Sequence, residues 1–398
     1  MRSANAPTIA YDTAFICLGF VVAIFGPTLA GLAANTNTSL ATISTVFVTN
    51  SFGRMCGSLV GGRLLDRVPG HLVMVTGFVI LALTFVAIPL AQITTLLAII
   101  LAVSGFGQNM IDVGANTLIV WIHGAKVGPY MATLHFAFGV GAFLAPLFAT
   151  RVSTFTGGIE WVYWAVAGLT LPFIIWLLSL PSPTRRTASS LTSETKVNWT
   201  LVALIAAFFF FVVGVELGMS LWTFTYGIKI HLDNSLGPAL LASAFWGAYS
   251  LGRLIAIPVS IRVSPERMLL VDVLSLIVSA TVFLLGQAVQ VLTWLGVLGI
   301  GLSVASVFPT MLTFTGRQLN VTGKINGLLF TASTTGSMFF PWLIGQLFDR
   351  IGPQALPLLM VCNSCVIAAV FLIMLAVARR ATSGPDLRGS QPHRQSQS

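Results

Sequence analysis

Long apolar runs dominate the sequence. Most are about 20 residues long, which is the length that an α-helix needs to cross the hydrocarbon core of a bilayer. Only 8% of the 398 residues are charged, whereas a soluble domain carries about 25%. In lipid, backbone polar groups must be paired internally, by helices or by a closed barrel. The runs are continuous rather than alternating, which favours helices. The sequence therefore predicts an all-α membrane protein with twelve transmembrane helices, at 10–33, 42–63, 69–91, 95–120, 127–149, 159–180, 199–226, 238–260, 267–288, 290–314, 325–348 and 355–378.

The positions of Lys and Arg predict the orientation, because cytoplasmic loops of membrane proteins are enriched in both. With the N-terminus placed in the cytoplasm, fifteen of the 20 basic residues fall on the cytoplasmic side. Three fall on the other side, namely Arg151, Lys229 and Arg350, and two lie within helices. We expect a multi-pass protein of an inner or plasma membrane with both termini in the cytoplasm.

The chain divides into two similar halves. A polar stretch rich in Pro, Ser and Thr follows the sixth apolar run. The sequence Ser-Phe-Gly-Arg at 51–54, in the second run, recurs as Ser-Leu-Gly-Arg at 250–253, in the eighth. We predict an N-terminal six-helix bundle at 1–180, a cytoplasmic linker at 181–197, a C-terminal six-helix bundle at 198–380 and a disordered cytoplasmic tail at 381–398.

Two related stretches indicate a family. Residues 62–70 read GRLLDRVPG and lie between the second and third predicted helices, and residues 345–352 read GQLFDRIG. Both resemble the signature G-x-L-x-D-R-x-G of the major facilitator superfamily, the first with one extra residue before its last glycine. The resemblance implies two six-helix bundles that rock about a solute site between them. The charged residues of these stretches are Asp66, Arg67, Asp349 and Arg350. They would form ion pairs that break when the halves move, and so act as gates, or they simply lie at helix ends.

Within that superfamily the chain is similar to the branch of fucose permeases and sodium-dependent glucose transporters. The similarity is carried by residues 105–116, 134–146, 214–226 and 243–253. It implies a hexose-like solute that moves together with a cation. Gly26 stands where fucose permease-like proteins place an aspartate, which argues against fucose itself.

Polar residues on the fourth predicted helix indicate a wet cavity. Asn109, Asp112 and Asn116 fall at i, i+3 and i+7 and so share one helix face. Arg54 and His135 lie at a similar depth, so they can cluster with Asp112. One interpretation gives Asn109, Asn116 and His135 to solute binding and Asp112 to cation coupling. The alternative is a permanent ion pair in which Arg54 holds helices together.

Glu216 is the second acid expected near the middle of the membrane, between Gly214 and Gly218. Ionisable groups at this depth usually face a cavity or a partner. A carboxylate beside close-packed or unwound backbone suits Na⁺ or a proton as the coupling ion. Alternatively Glu216 is the structural partner of Arg253. Asp272 lies nearer a helix end and is expected to be a structural charge.

Aromatic residues on the seventh and eighth predicted helices suit a sugar. Trp222 and Tyr226 are four residues apart on one face, and Trp246 lies in the outer half of the next helix. The C–H faces of a sugar pack on aromatic rings. Helix packing or an interfacial aromatic belt explains the same residues equally simply.

A symporter for a sugar-like small solute driven by Na⁺ or H⁺ is therefore the favoured function. A proton-coupled antiporter for an amphipathic metabolite or drug, and a membrane solute receptor without transport, remain open. We expect no enzymatic activity, because no catalytic or phosphate-binding motif is present, and no cofactor or metal beyond the coupling ion. The net charge of +9 resides in short loops without a basic aromatic face, so no nucleic-acid partner is expected. A single chain is expected to suffice.

Overall fold

The computed structural model describes residues 5–183, 197–232, 236–286, 289–319 and 323–382. Within these residues the fold is helical and contains no β-strand, which confirms the predicted all-α class. Most of the predicted linker and nearly all of the predicted tail lie outside the described residues. The domain boundaries thus stay predictions.

Fourteen α-helices make up the described part of the chain. Short 3-10 turns extend α4 and join α5 to α6. The helices are α1 (Asn5–Ala23), α2 (Phe25–Asn35), α3 (Leu40–Leu65), α4 (Gly70–Ala87), α5 (Thr94–His123), α6 (Val127–Thr156), α7 (Glu160–Ser179), α8 (Trp199–Lys229), α9 (Gly237–Arg262), α10 (Pro265–Leu285), α11 (Gln290–Ala305), α12 (Val307–Gln318), α13 (Gly323–Ile351) and α14 (Ala355–Thr382).

Two of the predicted segments are each formed by a pair of helices, and proline explains both breaks. The first segment is α1 followed by α2, and α1 ends at Ala23, four residues before Pro27. The tenth is α11 followed by α12, and α11 ends at Ala305, four residues before Pro309. Proline has no N–H for the carbonyl four residues earlier, and its ring clashes with that carbonyl. Each break therefore falls where proline forbids the helical hydrogen bond.

Ten helical segments of the described chain are long and apolar enough to cross a membrane. The long helices α3 and α13 are absent from that set because they are more polar; both carry several Ser and Thr residues. With the paired helices taken as single segments, α3 and α13 correspond to the second and eleventh predicted crossings. They pack against each other, and the polar residues Ser44, Asn50 and Ser51 of α3 and Ser333 of α13 are buried.

Close glycine contacts set the position of the charged residues on α3. A Cβ at Gly53 would lie 1.8 Å from the carbonyl oxygen of Ala102, and one at Gly105 would lie 2.0 Å from that of Asn50. The backbones of α3 and α5 therefore touch. This contact brings Arg54 alongside the polar face of α5.

Candidate functional site between the two halves

Hydrogen bonds join the two halves of the chain at one end of the molecule, where α3 begins and α13 ends. We call this end the opposite face, and the end where α1 begins the terminal face. The Asp349 carboxylate accepts a bond of 3.2 Å from the backbone N–H of Ala41. The Gln346 side chain donates to the Ala41 carbonyl at 3.0 Å. Asp349 thus places negative charge at the N-terminus of α3, which stabilises a helix end.

A second seam between the halves lies where α6 meets α9. The Ser243 hydroxyl donates to the carbonyl oxygen of Phe143 at 2.7 Å. The rings of Phe138 and Trp246 meet edge to face with centroids 5.7 Å apart. This seam continues from the opposite face towards the charged residues in the middle of the molecule.

On the N-terminal side, Arg54 and Asp112 belong to one polar group. The Arg54 Nε donates to the Asn109 side-chain oxygen at 3.1 Å. The Asn116 side chain donates to both the backbone carbonyl and the carboxylate of Asp112, each at 2.9 Å. The charges of Arg54 and Arg253 both act on Asp112. Asp112 therefore feels a positive charge from each half of the chain.

On the C-terminal side, Tyr249 connects Glu216 to Arg253. The Arg253 guanidinium donates to the Tyr249 hydroxyl at 2.5 Å, and its central carbon lies 4.5 Å from the centroid of the Tyr249 ring. The Tyr249 side chain is also hydrogen-bonded to Glu216. Because the guanidinium only donates, the Tyr249 hydroxyl accepts from Arg253 and donates to Glu216.

The two groups form one electrostatic cluster. Glu216 feels the charges of Arg253 and of Arg54, as Asp112 does. The imidazole of His135 lies within the field of Arg253 and packs edge-on against Phe15 at 5.7 Å. Two acids and two arginines, one of each from either half, thus interact at the centre of the molecule, and all four side chains are half-buried.

A small cavity lies beside this cluster, between α1, α2, α3, α5, α8 and α13. Its volume is about 40 Å³, which is space for a few water molecules. The Gln108 side chain donates to the Ser104 hydroxyl at 3.3 Å, and the Asn50 side chain donates to the Leu101 carbonyl at 2.9 Å. The polar residues of the wall are Asn50, Ser51, Arg54, Gln108, Ser220 and Ser337. Arg54 belongs to both the cavity and the cluster.

Trp222 and Tyr226 are fully buried within the C-terminal half. The Trp222 indole donates to the Pro341 carbonyl at 2.9 Å, and its ring stacks on Phe348 at 4.8 Å. The ring of Tyr226 packs edge-on against Phe283 at 4.9 Å. These are the contacts of helix packing, and a role for either ring in solute binding stays a prediction.

Trp246 is also buried, with 1% of its surface exposed. Its ring lies edge-on to Tyr249, with centroids 5.3 Å apart. Its indole N–H has no acceptor among the described residues. Trp246 is thus the one of the three predicted sugar-binding aromatics that lies directly beside the charged cluster.

The predicted gating charges lie at two different ends. Asp66 follows α3 directly, and its side chain and that of Arg67 are exposed. Asp349 makes the contact with α3 described above, and Arg350 beside it is exposed. Among the described contacts, Asp349 is therefore the one of these four side chains that joins the two halves.

Comparison with known proteins decides the family of this chain. The model of the Major Facilitator Superfamily matches residues 13–341. The chain belongs to the Major Facilitator Superfamily. The resemblance predicted from its motifs is thereby confirmed. As a major facilitator, it is a multi-pass integral membrane protein and a transporter, a class that is distinct from enzymes.

Relatives of this major facilitator extend over nearly its whole length. Sodium-dependent glucose transporter 1A of Mus musculus is 28% identical and covers 91% of this chain and 93% of the relative. Sodium-dependent glucose transporter 1 of Homo sapiens is 27% identical, covering 84% and 72%. Major facilitator superfamily domain-containing protein 4A of Homo sapiens is 24% identical, covering 94% and 92%.

Solved structures of other transporters share the fold. A mutant of the nucleoside transporter NupG superposes with a TM-score of 0.77 at 14% identity, covering 93% of this chain and 99% of that one. A D-xylose-proton symporter superposes with a TM-score of 0.74 at 11% identity, covering 91% and 96%. At these identities the likeness concerns the fold alone.

Sequence reasoning missed two residues of this major facilitator, Tyr249 in the charged cluster and Asp12 on α1. Tyr249 lies four residues before Arg253 on α9, and this helical spacing is a signal that could have revealed it. Asp12 on α1 has a buried carboxylate oxygen without a hydrogen-bond partner among the described residues. Asp272 accepts a bond of 2.6 Å from Ser306, at the break between α11 and α12, as suits a structural charge.

Proposed function

We propose that this major facilitator carries a sugar-like solute, with a hexose favoured, by alternating access and cation symport. The coupling ion is Na⁺ or H⁺. The names of the mouse and human relatives support both the glucose-like solute and the cation. The predicted twelve crossings, the predicted six-plus-six division and the cytoplasmic position of both termini belong to the same proposal.

The central charged cluster is the observation that carries this proposal. Asp112 and Glu216 each feel the charges of Arg54 and Arg253. When both acids are ionised, the four charges balance. A proton or Na⁺ that arrives on one acid changes the attraction between the halves, since the two arginines come from different halves. A ligand shifts a conformational equilibrium only through such a difference in affinity between states.

The present conformation corresponds to a carrier that is closed at the opposite face. The bonds of Asp349 and Gln346 to Ala41 join the halves there. We propose that solute and cation leave or enter through the terminal face in this state. The central cavity of about 40 Å³ must widen before a hexose is bound.

The test is the initial rate of radiolabelled D-glucose uptake into liposomes that contain the purified protein. The vesicles carry an inward Na⁺ gradient, an inward proton gradient or neither. We expect one of the two gradients to raise the rate well above that of protein-free vesicles. Equal rates under all three conditions, for D-glucose and for other hexoses, would overturn symport. A rate raised only by an outward proton gradient would instead identify the antiporter.

A further inference from the structure

Two buried hydrogen-bond donors on α9 have no acceptor among the described residues. They are the indole N–H of Trp246 and the Nε–H of Arg253. Residues 246, 249 and 253 are separated by three and four positions and therefore share one face of the helix. Buried donors without partners are rare in native proteins because their loss of hydration is not compensated. When both lie on one face of α9 beside the charged cluster, a ligand is a natural source of the missing acceptor.

Both donors flank the same side chain, Tyr249. The Trp246 ring centroid is 5.3 Å from that of Tyr249, and the Arg253 guanidinium carbon is 4.5 Å from it. The Tyr249 hydroxyl is already engaged by Arg253 and Glu216. It does not accept from Trp246, whose indole N–H has no partner among the described residues. Phe138 closes the site from the N-terminal half, with its ring edge-on to Trp246 at 5.7 Å.

The charges around the site favour a neutral ligand. Arg253 faces Glu216 within its own half and Asp112 across the interface, and Arg54 supplies the second positive charge. When both acids are ionised, the two arginines and two acids leave the cluster without excess charge to attract an anion. Trp246 and Phe138 add apolar surface that suits C–H groups. The site is thus suited to a lone-pair oxygen on an uncharged, partly apolar ring.

We propose that Trp246 Nε1 and Arg253 Nε each donate to an oxygen of one neutral sugar, and so select the positions of hydroxyl or ring oxygens on the solute. This inference rests on the proposed function. Each interaction requires an acceptor on the sugar and makes no use of a hydroxyl's hydrogen. A fluorine atom, which accepts weakly and cannot donate, should therefore replace such an oxygen better than hydrogen does.

The test is competition against radiolabelled D-glucose by its monodeoxy and monodeoxyfluoro analogues, one position at a time, in proteoliposomes. In the wild type, we expect one position at which the deoxy sugar binds at least about tenfold more weakly, as loss of a bond to a charged donor gives. The fluoro sugar should recover part of that loss. At the position bound by the neutral Trp246 donor, the deoxy penalty should be about threefold or more in the wild type and should disappear in Trp246→Phe.

Trp164→Phe is the matched control, because the Trp164 indole already donates to the Val86 carbonyl at 3.3 Å. It should keep the full deoxy penalty at the same position. The wild-type comparison of deoxy and fluoro sugars needs no variant, so it tests the proposal even if Trp246→Phe fails to fold. Hexose binding without any such position, or with a penalty that Trp246→Phe leaves intact, overturns the inference alone. Binding of no hexose overturns the proposed function and this inference together.

Discussion

The Tyr249→Phe substitution is the sharpest probe of the charged cluster. It keeps the ring that lies under Arg253 and beside Trp246 and removes only the hydroxyl. That hydroxyl accepts from Arg253 at 2.5 Å and is bonded to Glu216. A hydrogen bond to a charged group contributes about 1.5–3 kcal/mol, so the two bonds are worth about 3–6 kcal/mol at most.

Only the part of this energy that differs between the cation-bound and cation-free states affects coupling. If half of it differs, the affinity for the coupling ion changes by about 1.5–3 kcal/mol, which is about 10- to 100-fold. The assay is the cation concentration that gives half-maximal D-glucose uptake in proteoliposomes. We expect this concentration to shift at least about tenfold in Tyr249→Phe.

Tyr163→Phe is the matched control for this experiment. It also removes a buried tyrosine hydroxyl, but that hydroxyl is bonded to the neutral side chain of Thr28 at 2.6 Å, away from the four charges. We expect a loss of stability of about 1 kcal/mol and an unchanged cation dependence. If the half-maximal cation concentration of Tyr249→Phe stays within about twofold of the wild type, the Tyr249 hydroxyl does not take part in cation coupling.

Further substitutions test other parts of the molecule. Asp112→Asn and Glu216→Gln should each abolish concentrative uptake; gradient-driven accumulation retained in both would remove them as coupling residues. Asp349→Asn replaces a charged acceptor with a neutral one and so weakens the bond to the start of α3. Thiol labelling of a cysteine introduced near the opposite face should become faster, and an unchanged labelling rate would argue against a gate at that face. Gly53→Ala places a Cβ 1.8 Å from the α5 backbone and should lower the thermal unfolding midpoint in detergent by several degrees or prevent folding. Gly62→Ala, whose Cβ would have nothing within 4 Å, should leave the midpoint unchanged. Equal midpoints for the two variants would contradict the packing of α3 against α5.

The sequence was sufficient to predict the helical class and the residues of the charged cluster. Ionisable groups in apolar runs are few because burying a charge in lipid is costly. That scarcity isolates Asp112, Glu216, Arg54 and Arg253 without any tertiary information. Their assignment to cation coupling or to gating stays a prediction.

Other features depend on how the helices pack, and sequence reasoning could not reach them. Pro27 and Pro309 break their helices, whereas Pro146 lies inside the continuous α6, and the three are alike in sequence. The bond of Asp349 to the start of α3 joins residues about 300 positions apart. Tyr249 gains its role from Glu216 on another helix, and one tyrosine in an apolar run carries no such signal.

Steady-state accumulation of D-glucose is the direct test of cation-coupled transport. Proteoliposomes with an inward gradient of the coupling ion are followed until the internal concentration of labelled glucose is constant, and the gradient is then collapsed with an ionophore. We expect an internal glucose concentration above the external one, and its return to the external value after the gradient is collapsed. In Glu216→Gln vesicles the two concentrations should be equal throughout. Equal concentrations in the wild type under both cation gradients would contradict cation-coupled transport.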